Sequence, residues 1–143
     1  MIPGIHAREW IAPITAFYLI DSLVAAFQQE KEDPRITNLS YYIMPILNPD
    51  GYEYSMTPGH RLWRKNRSSP PAGSNCFGVD LNRNYDVTGY SIGASKFSCD
   101  DNYMGEEPAT QPEVIAASNV VLRVKPQVSI SLHSYGKFQE YFT

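Results

Sequence analysis

The sequence predicts an α/β fold on the strength of three observations. Two segments carry the three- and four-residue periodicity of helices, and two apolar runs resemble strands. Proline- and glycine-rich stretches separate these segments. The 143 residues, 43% hydrophobic and 13% aromatic, have the composition of a globular domain. Helices that alternate with strands favour a sheet flanked by helices.

The first predicted helix begins after Trp10. Apolar residues recur at helical intervals over Ile11 to Phe27, a segment predicted to be too short and too polar to span a bilayer. A buried strand is predicted over Tyr41 to Leu47, with Pro45 marking an irregular end. Residues 48–51, Asn-Pro-Asp-Gly, are typical of a turn.

A long ordered loop is predicted over residues 52–78, because no periodicity is sustained there and prolines and glycines recur. Residues 78–81 are a short strand candidate. The second helix is predicted to run from Thr110 to about Val124, because Thr110 and Glu113 have the spacing of a capping box.

The last predicted strand is Gln127 to His133, in which apolar and polar residues alternate cleanly. His133 therefore lies at the carboxyl end of a strand. Ligands of α/β folds collect at that end of the sheet, so His133 is a candidate functional residue.

Charge and cysteine content exclude some functions and leave others open. The net charge of −3 gives no general attraction to nucleic acid. The basic run at residues 61–67 is either a solvated surface or an anion-binding patch. Two cysteines, Cys76 and Cys99, cannot form a four-thiolate metal site. They form either one disulfide or two buried thiols.

A metal site is suggested by the residues at the N-terminus. His6 and Glu9 are three residues apart, a spacing that lets both side chains face one point. With His133 as a third ligand they would match two histidines and a carboxylate, the pattern of a catalytic zinc site. Each piece taken singly also occurs by chance, and a lone strand-terminal histidine is more often a satisfied polar residue.

Five segments of the sequence, taken together, resemble the zinc metallocarboxypeptidases of the carboxypeptidase A/B type. In chain order they are GIHAREW (4–10), NPDGYEYS (48–55), RLWRKNRS (61–68), GVDLNRNYD (78–86) and SLHSYG (131–136). The resemblance implies a partial metallocarboxypeptidase fold, with a mixed, mostly parallel sheet flanked by helices. It also implies a secreted protein, a Cys76–Cys99 disulfide and a monomeric full-length form that binds neither nucleic acid nor membranes.

The resemblance also implies residue roles. One Zn²⁺ would be held by His6, Glu9 and His133, and Asp80 would orient the first of these histidines. Arg64 would stabilise the oxyanion of the tetrahedral intermediate. The remaining implied residues contact the substrate: Asn82 and Arg83 at its terminal carboxylate, and Arg8, Ser134 and Tyr135 along the groove.

Some residues of the family have no counterpart in this sequence. The general-base glutamate and the mobile tyrosine of the family lie beyond the point that matches Thr143. We therefore expect residues 1–143 to be the central portion of a single catalytic domain, incomplete at both ends. The implied function is zinc-dependent hydrolysis of C-terminal peptide bonds, with the 143 residues alone inactive. The alternative is a catalytically inactive module that binds zinc or peptide C-termini.

Overall fold

The computed structural model describes residues 1–28, 34–87, 92–134 and 141–142. Its elements, in chain order, are β1 (Ile2–Pro3), α1 (Ile11–Gln28), α2 (Pro34–Thr37), α3 (Pro49–Ser55), a 3₁₀ helix (Leu81–Arg83), α4 (Pro112–Val124), β2 (Ser129–Leu132) and β3 (Tyr141–Phe142). The α/β prediction is confirmed, as are both long helices and the strand before His133.

The sheet is mixed and has the order β1-β2-β3. Strand β1 is parallel to β2, with Pro3 opposite Leu132, and β3 is antiparallel to β2. The carboxyl ends of β1 and β2 therefore lie side by side. The residues that follow these two strands, which include His6 and His133, are brought to one edge of the sheet.

A small apolar core lies where the sheet meets α4. It consists of buried Ile5, Leu47, Leu81, Val114 and Ala117. Leu81 belongs to the 3₁₀ helix and Ile5 to the segment after β1, so the core anchors both segments that carry candidate site residues. Each buried isoleucine, leucine or valine side chain contributes about 1.5–3 kcal/mol by leaving water.

Helix α1 buries only one narrow side, formed by Ala12, Pro13 and Ala16. Its other apolar residues are largely exposed, for example Phe17 at 47% and Phe27 at 68%. By length and composition alone its 18 residues, with a mean hydropathy of 1.5, are sufficient to cross a membrane, contrary to the expectation from the sequence. That is weak evidence, because a core helix of a globular protein has the same properties.

The strand predicted over residues 41–47 is wrong. The segment runs beside β1, where the amides of Met44 and Leu47 donate to the carbonyls of Met1 and Pro3 at 3.1 and 3.2 Å. It nevertheless forms no regular strand. Pro45 lacks an N–H and cannot donate to a ladder.

Three local predictions differ from the structure. Asn48 begins helix α3 instead of a turn, because Pro49 suits the first helical position and the Asn48 side chain accepts from the Gly51 amide. The predicted long loop therefore begins with a helix. Residues 78–81 form no strand, since Leu81 starts the 3₁₀ helix.

The start of α4 also differs from its prediction. Its N-cap residue is Gln111, which makes no side-chain cap bond, so Thr110 and Glu113 do not form a capping box. The amides of Thr110 and Gln111 donate instead to Oδ1 of Asn84, at 3.0 and 3.1 Å. The buried side chain of Asn84, which is distant in sequence, therefore caps these amides instead of Thr110.

Candidate metal centre

The segment between β1 and α1 turns sharply and carries two of the three predicted ligands. Gly4 has a φ of +70°, and a Cβ there would lie 3.1 Å from Pro13 and 3.4 Å from the backbone of Ile46. Only glycine adopts this conformation at little cost. The Glu9 amide then donates to the His6 carbonyl at 3.2 Å, so the turn holds both side chains on the same side.

Three predicted ligands converge at this point. His6 Nδ1 lies 2.8 Å from Glu9 Oε1, and His133 Nδ1 lies 3.0 Å from Glu9 Oε2. The two histidine Nδ1 atoms are 3.2 Å apart. One ligand atom from each residue falls within 4.8 Å of the others. His6 and Glu9 are buried, and His133 is the most exposed of the three.

The outer nitrogen of His6 faces a carboxylate. His6 Nε2 lies 3.2 Å from Oδ1 of Asp80, which is fully buried. Because a carboxylate only accepts, the tautomer of neutral His6 that donates to Asp80 carries its proton on Nε2. In that tautomer Nδ1 presents a lone pair to the shared point, whereas in the protonated ring Nδ1–H donates to Glu9.

His133 has a comparable outer partner, the hydroxyl of Ser131. Ser131 Oγ donates to the Ile2 carbonyl at 3.1 Å and lies 3.2 Å from His133 Nε2. With its single proton committed to Ile2, the hydroxyl accepts from His133 Nε2–H. The neutral His133 ring therefore also presents its Nδ1 lone pair to the shared point.

Opposing effects set the pKa values of these groups. Burial raises the pKa of Glu9, but hydrogen bonds from His133 and His6 outweigh it and bring the pKa from 4.5 down to about 2. Burial lowers the pKa of His6, but hydrogen bonds to Asp80 and Glu9 outweigh it, so that pKa is raised. Burial raises the pKa of Asp80, but the hydrogen bond from His6 and the charges of His6 and Arg64 outweigh it, so that pKa is lowered. Without a bound cation, the cluster therefore favours an ionised Glu9 that accepts hydrogen bonds from both histidine rings.

The donor set fits a divalent cation of the zinc type. Two imidazole nitrogens and one carboxylate surround one point, and no hydrogen lies between them when both rings are neutral. Such a set is mutually repulsive unless a proton or a cation occupies its centre. Imidazole and carboxylate ligands in a group of three are typical of catalytic zinc.

Arg64 shares Asp80 with His6. Its Nε and Nη2 atoms both donate to Asp80 Oδ2, at 2.9 and 2.8 Å, while His6 contacts Oδ1. The predicted oxyanion residue and the predicted metal ligand are thus held by opposite oxygens of one carboxylate. A guanidinium has five N–H donors, so donors remain beyond the two that bind Asp80.

The other predicted substrate residues differ in how directly they contact this centre. Asn82 and Arg83 lie in the 3₁₀ helix directly after Asp80, and the Asn82 amide donates to Asp80 Oδ1 at 3.0 Å. Arg83 Nε donates to the Gly93 carbonyl at 3.1 Å. Ser134 follows His133 in a half-buried position, and Tyr135 lies outside the described residues.

Arg8 is held at the surface by two contacts. Its Nη1 atom donates to Oδ2 of Asp101 at 3.0 Å and to the carbonyl of Leu62 at 3.3 Å. Both partners lie in loops far along the chain. An exposed pair of this kind contributes about 0–1 kcal/mol, so a substrate group can compete for Arg8 at little cost.

The disulfide implied by the resemblance is present. Cys76 and Cys99 are bonded, with their Cα atoms 5.0 Å apart. A bridge over 23 residues contributes about 3 kcal/mol in the loop-entropy picture.

Sequence comparison decides the family. The zinc carboxypeptidase (peptidase M14) family pattern matches residues 1–142. The chain belongs to the zinc carboxypeptidase family. Relatives of the chain include carboxypeptidase O of Bos taurus, 41% identical over 138 residues, and carboxypeptidase B of Astacus astacus, 39% identical over 140. The alignments cover 94% and 96% of this chain, and 36% and 45% of those proteins.

Solved structures agree with this assignment. Bovine thrombin-activatable fibrinolysis inhibitor, in complex with tick carboxypeptidase inhibitor, is 38% identical with a TM-score of 0.83 over 94% of this chain and 45% of its own. Carboxypeptidase A from Helicoverpa armigera is 33% identical, with a TM-score of 0.83 over 95% of this chain and 33% of its own. The chain thus spans about a third to less than half the length of the relatives it matches.

Sequence patterns do not reveal several buried polar residues near the candidate metal centre. Asn48 is fully buried and contacts the carbonyls of Ile5 and Lys65. Lys65 is 3% exposed and donates from Nζ to the Ser98 carbonyl at 2.6 Å, next to the disulfide. Asn48 lies within a segment that predicts only a turn. Its partners, the carbonyls of Ile5 and Lys65, are distant in sequence and leave no local pattern.

Proposed function

We propose that this chain provides the metal centre and carboxylate-recognition region of a zinc-dependent carboxypeptidase, which hydrolyses the C-terminal peptide bond of peptides and proteins. The observation that carries the proposal is the convergence of His6, Glu9 and His133 on one point. In a member of the zinc carboxypeptidase family, such a site supports peptide hydrolysis. One zinc ion per domain is the proposed cofactor.

Each of the two proposed histidine ligands contacts a neighbour that fixes its orientation. Asp80 accepts a hydrogen bond from Nε2–H of His6, and the Ser131 hydroxyl accepts one from Nε2–H of His133, so both rings direct Nδ1 to the metal position. When bound, zinc polarises the scissile carbonyl and lowers the pKa of its water. Arg64, fixed by Asp80, directs its remaining donors to the oxygen on which negative charge develops.

Recognition of a free C-terminus is proposed for Asn82 and Arg83. A guanidinium can form two parallel hydrogen bonds to a carboxylate, and an amide adds a further donor. Both residues follow Asp80 in one 3₁₀ helix, so the clamp lies next in sequence to the carboxylate that contacts the proposed ligand His6. Arg8, Ser134 and Tyr135 are the proposed contacts along the rest of the substrate.

The 143 residues alone are proposed to bind without appreciable hydrolysis. Within the described part of the chain, the carboxylates at the centre are Glu9 and Asp80. Glu9 contacts both histidines, and Asp80 contacts His6 and Arg64, so neither is available as a general base. Loss of such a base costs about 10²–10⁴-fold in rate. We propose that residues 1–143 belong to one catalytic domain, because a single family pattern matches residues 1–142.

Secretion is proposed from the disulfide. Cys76 and Cys99 form a disulfide. Disulfides persist in oxidising compartments and are rare in the cytosol. We propose a monomeric full-length form whose partner is a peptide or protein C-terminus. The net charge of −3 gives no support to nucleic-acid binding, and no membrane partner is proposed.

The first experiment measures recognition of the C-terminal carboxylate. The zinc-loaded chain is titrated calorimetrically with an N-blocked dipeptide and with the C-terminal amide of the same dipeptide. We expect the free acid to bind at least about tenfold more tightly, because a charge-assisted bidentate contact is lost with the amide. Arg83→Gln should abolish the difference, whereas Arg123→Gln, at the exposed end of α4, should not. Equal affinity for acid and amide would contradict the proposal.

The second experiment measures hydrolysis. Release of the C-terminal residue from a chromogenic peptide is followed for the chain alone and for Astacus carboxypeptidase B. We expect the chain's kcat/KM to lie at least about 10²-fold below that of the relative. A value within about tenfold would show that a carboxylate within residues 1–143 acts as the base.

A further inference from the structure

One buried amide joins three segments around the metal centre. Asn48 Nδ2 donates to the Ile5 carbonyl at 3.1 Å and to the Lys65 carbonyl at 3.2 Å, while Oδ1 accepts from the Gly51 amide at 3.0 Å. The side chain is fully buried. Both amide hydrogens and the amide oxygen are therefore used, and the three contacts fix its orientation.

Two of these segments carry proposed site residues. Ile5 precedes His6 in the ligand segment (residues 4–10), and Lys65 follows Arg64 in the arginine segment (residues 61–67). The segments also meet directly, because the Ala7 amide donates to the Arg64 carbonyl at 3.0 Å. Asn48 adds a second connection beside that bond, so the two segments are joined as a short, closed backbone unit.

Helix α3 supports this connection from both ends. Asn48 begins the helix, and Ser55 at its other end lies 3.3 Å from the Ala7 carbonyl and accepts from Trp10 Nε1 at 2.8 Å. The fit is close at Gly51, where a Cβ would lie 2.5 Å from the Lys65 carbonyl oxygen and 2.6 Å from the Asn48 amide. The helix therefore presents Asn48 to the two segments with little freedom to shift.

We propose that Asn48 is a positioning residue that sets the separation between the metal ligand His6 and the oxyanion residue Arg64 by tying together the peptide groups beside them. The proposal rests on the proposed function, since it assigns a role toward the metal held by His6. Asn48 touches neither the metal position nor the substrate. It acts through the carbonyls of Ile5 and Lys65, both of which are buried and would otherwise lose their partner.

Asn48→Ser isolates this role from helix capping. Serine is a good N-cap and keeps an acceptor for the Gly51 amide, but it is too short to reach both carbonyls. The matched control is Asn84→Ser. Asn84 is also fully buried and also uses its whole amide, with Nδ2 donating to the carbonyls of Met104 and Glu107 and Oδ1 accepting at the start of α4. None of these contacts involves the ligand or arginine segment.

The probe is Co²⁺, added to the chain after removal of bound metal with a chelator. Affinity is measured by competition with a chelator, and coordination geometry by the visible absorption of the ion, at a temperature at which circular dichroism shows each variant folded. We expect Asn48→Ser to weaken Co²⁺ binding about tenfold and to change the shape of the absorption band. Asn84→Ser should lower the melting temperature yet leave affinity and spectrum unchanged. If the role of Asn48 were purely structural, Asn48→Ser would likewise lower the melting temperature and leave Co²⁺ affinity and the spectrum unchanged.

A second variant guards against misfolding. Gly51→Ala keeps every group of Asn48 but displaces its amide, and it should give the same spectral change. An unchanged spectrum and affinity in Asn48→Ser would overturn the positioning role and leave the proposed function intact. Unfolding of both Asn48→Ser and Gly51→Ala, with Asn84→Ser folded, would also overturn it, because Asn48 would then stabilise the whole fold. Failure of the unmodified chain to bind Co²⁺ would overturn the positioning role and the proposed function together.

Discussion

His6 and His133 approach within 3.2 Å through their Nδ1 atoms although 127 positions separate them in the chain. The parallel pairing of β1 and β2 produces this contact, because each histidine follows the carboxyl end of one of these strands. The ring centroids are 4.9 Å apart and the rings are tilted by 50°, an arrangement in which both lone pairs face Glu9. The candidate zinc centre is thus a consequence of sheet topology.

Loss of the Asp80 charge should weaken the metal site. Asp80→Asn removes the carboxylate that accepts from His6 Nε2 and binds Arg64. We expect zinc affinity, measured by competition with a chelator, to fall about 10–100-fold. Asp21→Asn, an exposed position on α1, is the control and should change nothing. Unchanged affinity in Asp80→Asn would show that His6 does not depend on this partner.

Ser131→Ala tests the orientation of His133 separately. The substitution removes the hydroxyl that lies 3.2 Å from His133 Nε2, so the ring loses the contact that fixes its tautomer. We expect zinc affinity to fall about tenfold. Ser129→Ala makes the same change two residues earlier in β2 and should have little effect on affinity, measured in the same way. An equal loss in both variants would instead point to weakening of the strand.

Two glycines with similar backbone geometry should respond differently to alanine. Gly73 and Gly78 have φ values of +80° and +84°, but a Cβ at Gly73 meets nothing within 4 Å, whereas one at Gly78 would lie 2.3 Å from the Asn66 carbonyl oxygen. Gly73→Ala should cost about 1–2 kcal/mol of unfolding free energy from backbone strain. Gly78→Ala should cost about 1–3 kcal/mol more through overpacking, as measured by urea denaturation. Equal costs would contradict the close approach of these segments.

Apo protein, prepared by chelation, should be most stable in mildly acidic solution. The pKa of Glu9 is lowered from 4.5 to about 2, so its contribution is present above pH 4.5 and is lost as the pH falls towards 2. The pKa of His6 is raised above 6.5, so its contribution is complete below that value and is lost as the pH rises through the folded-state pKa. After allowance for solvent screening, the Glu9 effect is roughly 2 kcal/mol.

The measurement is the urea midpoint of the apo chain between pH 2 and 8. Glu9→Gln should flatten the acidic limb, whereas Glu53→Gln, an exposed change on α3, should not. With zinc added, the stabilisation should grow as the pH rises, because the histidines must be neutral to bind the metal. An acidic limb that persists in Glu9→Gln would assign the effect to other carboxylates.

Much of the site was predictable because its residues carry strong local patterns. The alternation before His133 places that histidine at a strand end, and the spacing of His6 and Glu9 suggests a shared ligand. The resemblance adds Asp80, which lies 3.2 Å from His6. These features depend on short segments whose geometry follows from residue type.

The errors arise where a distant contact overrides a local pattern. Asn48 fits both a turn and a helix start, and only its remote carbonyl partners distinguish the two. Thr110 has the spacing of a capping box, but the Asn84 side chain satisfies those amides instead. The apolar run over residues 41–47 predicts a strand, but Pro45 cannot donate to a ladder and the segment forms no regular strand. Burial and long-range hydrogen bonds of this kind leave no periodic signal in the sequence.

We expect one zinc ion to bind between His6, Glu9 and His133. The measurement is isothermal titration of the apo chain with zinc, with His60→Ala as a control for loss of a partly buried histidine outside the cluster. We expect one site per chain, unchanged in His60→Ala and weakened at least about 10³-fold in His133→Ala because only two ligands remain. Binding of zinc by His133→Ala with the affinity of the unmodified chain, or a stoichiometry of zero for that chain, would contradict the account.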